Sequence, residues 1–345
     1  MKMKRLSKIL LTLFLIITNG CLEDKNIPTV NFELDKTAKL LDYFESQGDF
    51  VNTEQAPGLI SVTQLFSNQS EYTILDIRPV DEFINGHIQN SVHVSTDRLY
   101  DVVDSLYSLD QTKKISIVSK NGQSSAYFVC LLRLAGFNNI FSVKYGMAYW
   151  NIDFAEDWLQ SLKDAEDVDN TNENYPKLSL SRLPGLDLPS SLNSSRELAV
   201  YRIKQVIKNG FKAGINYEAD FDPLIQSTNL KICYGTERLY IMPPLQEGKG
   251  HPVGTIWYWD NPVFEFRSIK SLQTLPSNSP IIIYSADGQL SACMAAYLTV
   301  LGYNTKTLLF GANQLFYSRM ISDPELNGDT FKPEEINSYP YVTGN

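Results

Sequence analysis

Ile115-Ser116-Ile117-Val118-Ser119-Lys120-Asn121-Gly122-Gln123-Ser124-Ser125 and Ile281-Ile282-Ile283-Tyr284-Ser285-Ala286-Asp287-Gly288-Gln289-Leu290-Ser291 are two versions of one stretch. Each starts on a β-branched apolar run, the bias of a buried strand. Each passes through a short loop with Gly122 or Gly288 in its fourth place. Each then enters an apolar pattern that predicts a helix, over 126–135 and over 292–301. A strand, a tight loop and a helix N-terminus gather backbone N–H groups around one point and add the positive end of a helix dipole. Such a loop is suited to an anion, or to a thiolate behaving as one.

Upstream of the first loop stands Tyr72-Thr73-Ile74-Leu75-Asp76-Ile77-Arg78-Pro79, followed by Glu82-Phe83 and Gly86-His87-Ile88. Ile74, Leu75 and Ile77 predict a buried strand that Pro79 stops. Asp76 and Arg78 then sit at its C-terminal end, where parallel sheets place their sites. They read better as a structural ion pair than as catalysis. His87 reads as a loop-fixing ring bonded to a backbone carbonyl, ahead of a general base or ligand, because no nucleophile lies near it in the pattern. The second half parallels the first. Gly250-His251 matches Gly86-His87, while Leu239-Tyr240-Ile241-Met242 is expected to be a strand and to stand where the first half has its Asp-x-Arg pair. Gly122 and Gly288 are 166 residues apart, and Gly146 and Gly311 are 165 apart. Two anchors at nearly one offset indicate an internal duplication.

These residues resemble the rhodanese family, whose active-site loop reads Cys-x-x-Gly-x-Arg-Ser and whose second signature is Asp-x-Arg, Glu-aromatic, Gly-His-Ile. The resemblance implies an α/β fold of two rhodanese-like domains, each a central, mostly parallel sheet flanked by helices. The family passes a sulfane sulfur through a cysteine persulfide. Here the Cys position holds Ser119 and Ser285, and the Arg position holds Ser124 and Leu290, while Gly122, Ser125, Gly288 and Ser291 match. A Cys thiol has a pKa of about 8.5, lowered further by such a loop. A Ser hydroxyl cannot store sulfane sulfur and needs a neighbouring base to act as a nucleophile. Nothing in the pattern brings His87 or His251 to either serine. The expectation is therefore a catalytically inactive tandem module with two anion-binding loops, 119–125 and 285–291, that binds a small anion or a partner protein. The alternatives are a thiosulfate or sulfane-sulfur sulfurtransferase with an atypical site, and a scaffold without a small ligand. Asp76, Arg78, Glu82, Gly86 and His87 are its structural signature. No catalytic residue, metal or cofactor is expected.

Length and charge frame this reading. A chain of 345 residues suggests two domains, assigned as 37–162 and, more degenerate, 196–335, joined by a linker over 163–195. A formal charge of −9 argues against nucleic acid. The acidic run 163–170 reads as a solvated face ahead of calcium, since it lacks the Gly and distal Glu of an EF-hand loop. Residues 1–20 pair a basic start with an apolar run too short to span a bilayer. They resemble a lipoprotein signal peptide, with Cys21 as the lipidated residue and 21–36 as a tether. The implied location is the cell envelope, lipid-anchored, at the outer membrane of a Gram-negative bacterium. Cys130, Cys233 and Cys293 read as buried small hydrophobes. An amphipathic helix is expected over 36–50. Trp257, Tyr258 and Trp259 read as inner-strand packing ahead of a binding platform.

Overall fold

Both β-branched runs are central strands, each in its own five-stranded sheet. The computed structural model describes all residues except 1–35, 48–55, 166–168, 193, 216–228, 242–249, 259–264 and 345. The first half contributes α1 (Lys36–Ser46), β1 (Leu59–Ile60), α2 (Val62–Ser67), β2 (Tyr72–Asp76), α3 (Val80–Asn85), β3 (Val92–His93), α4 (Leu99–Leu109), β4 (Lys114–Val118), α5 (Gln123–Leu134), β5 (Ile140–Val143), α6 (Met147–Trp150) and α7 (Glu156–Ser161). The connection carries β6 (Asn170–Thr171). The second half contributes α8 (Ser195–Lys208), β7 (Gly214–Ile215), β8 (Leu230–Tyr234), α9 (Glu237–Tyr240), β9 (His251–Pro252), β10 (Thr255–Tyr258), α10 (Ile269–Leu272), β11 (Ile281–Tyr284), α11 (Gln289–Val300), β12 (Thr305–Leu308) and α12 (Tyr317–Ser322).

The strand orders are β1-β5-β4-β2-β3 and β7-β12-β11-β8-β10, and every pairing within these two sheets is parallel. The two sheets share one topology, consistent with two domains. β4 and β11 sit in the middle, covered on both faces, which is why they read as continuous apolar runs. Pairing also fixes a correspondence that spacing misplaces. Asp76 lies opposite Val118, and Cys233 opposite Tyr284, each one residue before its loop serine. The counterpart of Asp76-Ile77-Arg78 is thus Cys233-Tyr234-Gly235. Leu239 and Tyr240, expected in a strand, belong to the short helix α9. Met242 lies outside the described residues, as does Trp259.

α5 and α11 begin three residues earlier than the periodicity predicts, at Gln123 and Gln289. Polar first turns carry no apolar rhythm, so they read as loop. Both helices are buried almost all round because they pack against each other as well as on their own sheets; Ala292, Cys293, Met294, Ala295 and Ala296 are fully enclosed. Cys130 Sγ donates to Cys293 O across this contact at 3.2 Å. One apolar core therefore runs through both halves, with Ile117 and Ile283 both in it.

The halves also exchange their ends. α1, placed at the start of the first domain by sequence, packs on the second half. Thr37 Oγ1 donates to Pro184 O (2.7 Å) and Leu301 O (3.2 Å), Phe44 meets Tyr297, and Glu45 pairs with Arg267. Its described extent stops at Ser46, short of the expected residue 50. In return, residues 337–344 cross the first half. Asn337 and Tyr339 N–H donate to Tyr149 O and Trp150 O, and His87 and Val342 exchange backbone hydrogen bonds at 2.9 Å. Tyr339 stacks on Phe66 at 4.0 Å. Within the stretch read as a linker, 163–195, Lys163 and Ala165 N–H donate to Asn313 O and Leu315 O, and β6 pairs with β9. Among the described residues no helix is long and apolar enough to cross a membrane.

Candidate functional site

Each loop closes around its own serine hydroxyl. Gly122, the α5 N-cap, has a left-handed φ of 86° that glycine adopts without strain. That turn aims the N–H groups of Gly122 and Ser125 at Ser119 Oγ, at 3.1 and 3.3 Å. Ser119 Oγ–H donates to Ser125 Oγ (3.0 Å), and Ser125 Oγ–H donates to Gly122 O (2.9 Å). The second loop repeats this: Ser285 Oγ accepts from Gly288 (3.2 Å) and Ser291 (3.1 Å) and donates to Ser291 Oγ (3.3 Å). Ser119 and Ser285 are 1% and 2% exposed. The oxygen at each focus therefore accepts two amides and has its one proton committed. Asn121 Oδ1 and Asp287 Oδ1 accept the next amides, from Gln123 (3.1 Å) and Gln289 (2.9 Å).

Neither His87 nor His251 serves a serine. His87 Nδ1 lies 2.8 Å from Phe83 O, with the two rings stacked at 3.8 Å. His251 Nδ1 lies 2.7 Å from Tyr240 O, with the rings at 3.6 Å. Both rings fix the short helix that precedes them. Asp76 and Arg78 form a buried ion pair at 2.7 Å, and Arg78 Nη2 also donates to Gly86 O at 2.7 Å. In the second half Arg319, from α12, takes over that last contact, donating from Nη1 to Gly250 O at 2.6 Å. Sequence alone gave no signal for this substitute, because it comes from a different element.

The surroundings of the two loops differ in charge. Beside the first, Lys120 pairs with Asp157 at 2.7 Å. Burial pushes the Glu82 carboxyl up, while Lys120 and Arg78 pull it back. Beside the second lies a cavity of about 180 Å³ lined by Ser285, Ala286, Asp287 and Leu290, with Leu239, Glu325 and Asp329 among its other walls. Burial pushes the Asp287 carboxyl above its usual range. Leu290 holds the position where the family motif has Arg.

The residues that sequence reading missed are the two glutamines, which reach across between the halves. Gln123 Oε1 accepts from Phe310 N–H at 2.6 Å, and its Nε2 donates to Gly288 O (3.0 Å) and Leu308 O (3.1 Å). Gln289 Oε1 accepts from Tyr145 N–H at 3.0 Å, and its Nε2 donates to Asp287 Oδ2 at 2.6 Å. Tyr145 and Phe310 both have φ near 60°, at 60° each. The only sequence signal was the repeated Gly-Gln in both loops. Of the thiols, Cys130 and Cys293 lie at the α5–α11 contact and Cys233 in β8, and all three are buried outside any disulfide.

A parallel sheet whose central strand turns through an amide-lined loop into a buried helix defines a rhodanese-type α/β fold. Residues 61–153 match the rhodanese-like domain family, and a rhodanese-like domain is present in this chain. The thiosulfate sulfurtransferase GlpE of Pseudomonas savastanoi pv. phaseolicola is 26% identical over 87 residues, covering 25% of this chain and 79% of that protein. An uncharacterized protein of Buchnera aphidicola is 26% identical over 110 residues, covering 31% of this chain and 70% of that one. Among solved structures, a rhodanese-like domain protein from Staphylococcus aureus is 27% identical over 27% of this chain and 91% of its own, with a TM-score of 0.24. A thiosulfate sulfurtransferase from Pseudomonas aeruginosa spans 89% of this chain and 49% of its own at 12% identity, with a TM-score of 0.29.

Proposed function

We propose that this chain is a catalytically silent tandem rhodanese-like protein that works by binding. One observation carries the reading. At both loop foci, where the resemblance would put the sulfur, a serine oxygen donates its proton onward with no base beside it among the described residues. The hydroxyl cannot hold sulfane sulfur, and its hydrogen bonds hold it as a structural brace.

Of the two ligand classes, the geometry supports a partner protein over a free anion. Two amides of each loop are already spent on the serine. Carboxylates flank both loops: Glu82 and Asp157 beside the first, Asp287, Glu325 and Asp329 beside the second. With a chain charge of −9, the partner's contacting face is basic. The first loop, with Lys120 at its rim, is the better place for any anion. The proposal extends to the N-terminus, where Cys21 would carry a lipid that holds the domain at the cell envelope. Cys21 lies outside the described residues.

A thiosulfate:cyanide assay on the purified chain tests the central point. The expected rate is that of the blank, and turnover above it replaces this reading with a sulfurtransferase. A thermal-shift series in sulfate and thiosulfate tests the ligand class. The expected shift is nil, and a rise that Gly122→Pro removes points to an anion instead.

A further inference from the structure

The two loops differ in how their glutamines are anchored. Gln123 spends both ends of its amide on the second half. Gln289 spends one end on the first half, at Tyr145 N–H, and the other on Asp287 of its own loop. Asp287 in turn lines the cavity beside Ser285. A continuous path thus leads from that cavity through Asp287 Oδ2 to Gln289 Nε2 (2.6 Å), and from Gln289 Oε1 to Tyr145 N–H (3.0 Å).

Tyr145 is a sensitive place to receive such a path. Its φ of 60° is a left-handed conformation that a non-glycine residue holds only when its surroundings enforce it. Tyr145 is followed by Gly146, where an added Cβ would overlap Ser119 O. Gly146 is also the N-cap of α6, and Met147 N–H donates to Ser119 O at 2.9 Å. At Gly122 an added Cβ would meet both Gln289 Oε1 and Tyr145 N. The first loop is therefore packed directly on the end of the relay.

We propose that the second half controls the first loop through the relay Asp287–Gln289–Tyr145, so that a change in the Asp287 cavity alters how tightly the loop around Ser119 is held. The first half holds the second by a different arrangement. Its Asn121 accepts from Gln123 N–H, while the Gln123 side chain is committed entirely to the second half. The coupling is reciprocal, and it joins the carboxylate-lined cavity to the loop that carries Lys120. The relay needs no assumption about what either loop binds. It is tested without ligand, separately from the thiosulfate assay.

The test is backbone hydrogen exchange on the full chain, comparing wild type with Asp287→Asn and with Glu325→Gln. Asparagine keeps the volume but offers one acceptor oxygen where Asp287 offers two, so Gln289 loses the bond from its N–H or the one from its Nε2. Glu325 lines the same cavity outside the relay. The expected result is exchange at Tyr145 and Ser125 faster by about fivefold in Asp287→Asn, near the value of one lost hydrogen bond. Glu325→Gln is expected to leave both unchanged, and Ile117 in β4 to stay protected in all three proteins. Ser125 N–H donates to Ser119 Oγ, so its acceleration reports the loop itself and not just the broken bond. Unchanged rates at both amides in Asp287→Asn, or equal acceleration in the two variants, overturn the relay. Should Asp287→Asn not fold, Gln289→Met decides the matter. It removes the acceptor for Tyr145 while keeping the bulk, and unchanged Ser125 exchange there contradicts the proposal.

Discussion

Gln123 Oε1 lies 2.6 Å from the backbone nitrogen of Phe310, a residue 187 positions further along the chain. Through this contact and the two donated by Nε2, the first loop supplies part of the hydrogen bonding of the second half. All of these groups are buried, so their partners cannot turn to water. Gln123→Ala leaves the Phe310 N–H without its acceptor and takes one donor each from Leu308 O and from Gly288 O, which keeps Ala292 N–H and Ser291 Oγ–H. It is expected to lower the unfolding free energy by about 2–4 kcal/mol. Gln289→Ala removes one contact between the halves and is expected to cost less. Urea unfolding of both variants checks the order, and a larger loss in Gln289→Ala contradicts it.

Exchange of chain ends predicts that the halves unfold together. Removing residues 336–345 takes away the backbone bonds to Tyr149, Trp150 and His87 and the Tyr339–Phe66 stack. The expected loss is about 2–4 kcal/mol, with a single unfolding transition retained because the core is continuous. Differential scanning calorimetry reads both. An unchanged midpoint shows that the strap contributes nothing.

Two glycines after left-handed residues are expected to tolerate no side chain. At Gly146 and Gly311 a Cβ would overlap Ser119 O and Ser285 O, and both have positive φ, 59° and 57°. Either Gly→Ala change is expected to cost about 3 kcal/mol or more, combining backbone strain with overlap. Gly136 also has positive φ but open space around a Cβ, so Gly136→Ala is expected to cost about 1 kcal/mol. Equal losses at Gly136 and Gly146 contradict the overlap account.

Asp287 predicts a pH signature. Burial raises its carboxyl in the folded chain above the ordinary value of 3.8. The folded state then binds a proton more tightly than the unfolded one, so this group's contribution to stability falls as pH rises from 3.8 through the raised folded value. Asp287→Asn removes the term. The stability of the variant relative to wild type is expected to be more favourable at neutral pH than at about pH 4. Urea unfolding at the two pH values measures it, and a relative stability that is equal at both or better in acid contradicts the assignment.

The loops, the sheets that carry them and the buried His and Asp–Arg features were legible because each rests on local pattern. β-branched runs mark central strands, and Gly122 and Gly288 mark turns that require positive φ. What stayed hidden was carried between distant residues. Gln123 reads as one more polar loop residue until Phe310 is brought beside it. Arg319 stands in for Arg78 from another element, and α1 packs on the half it precedes by more than a hundred residues. Tyr240 was misassigned because apolar residues in a short run suit a strand or a helical turn equally, and only the pairing of Cys233 with Tyr284 settles the register.

The most direct test of the central claim is the intact mass of the purified chain after incubation with thiosulfate and removal of excess reagent. With Cys21 replaced by Ser, so that only Cys130, Cys233 and Cys293 remain, oxygen at both foci and the burial of these three thiols predict no covalent gain. A gain of one sulfur atom on any of the three thiols contradicts it.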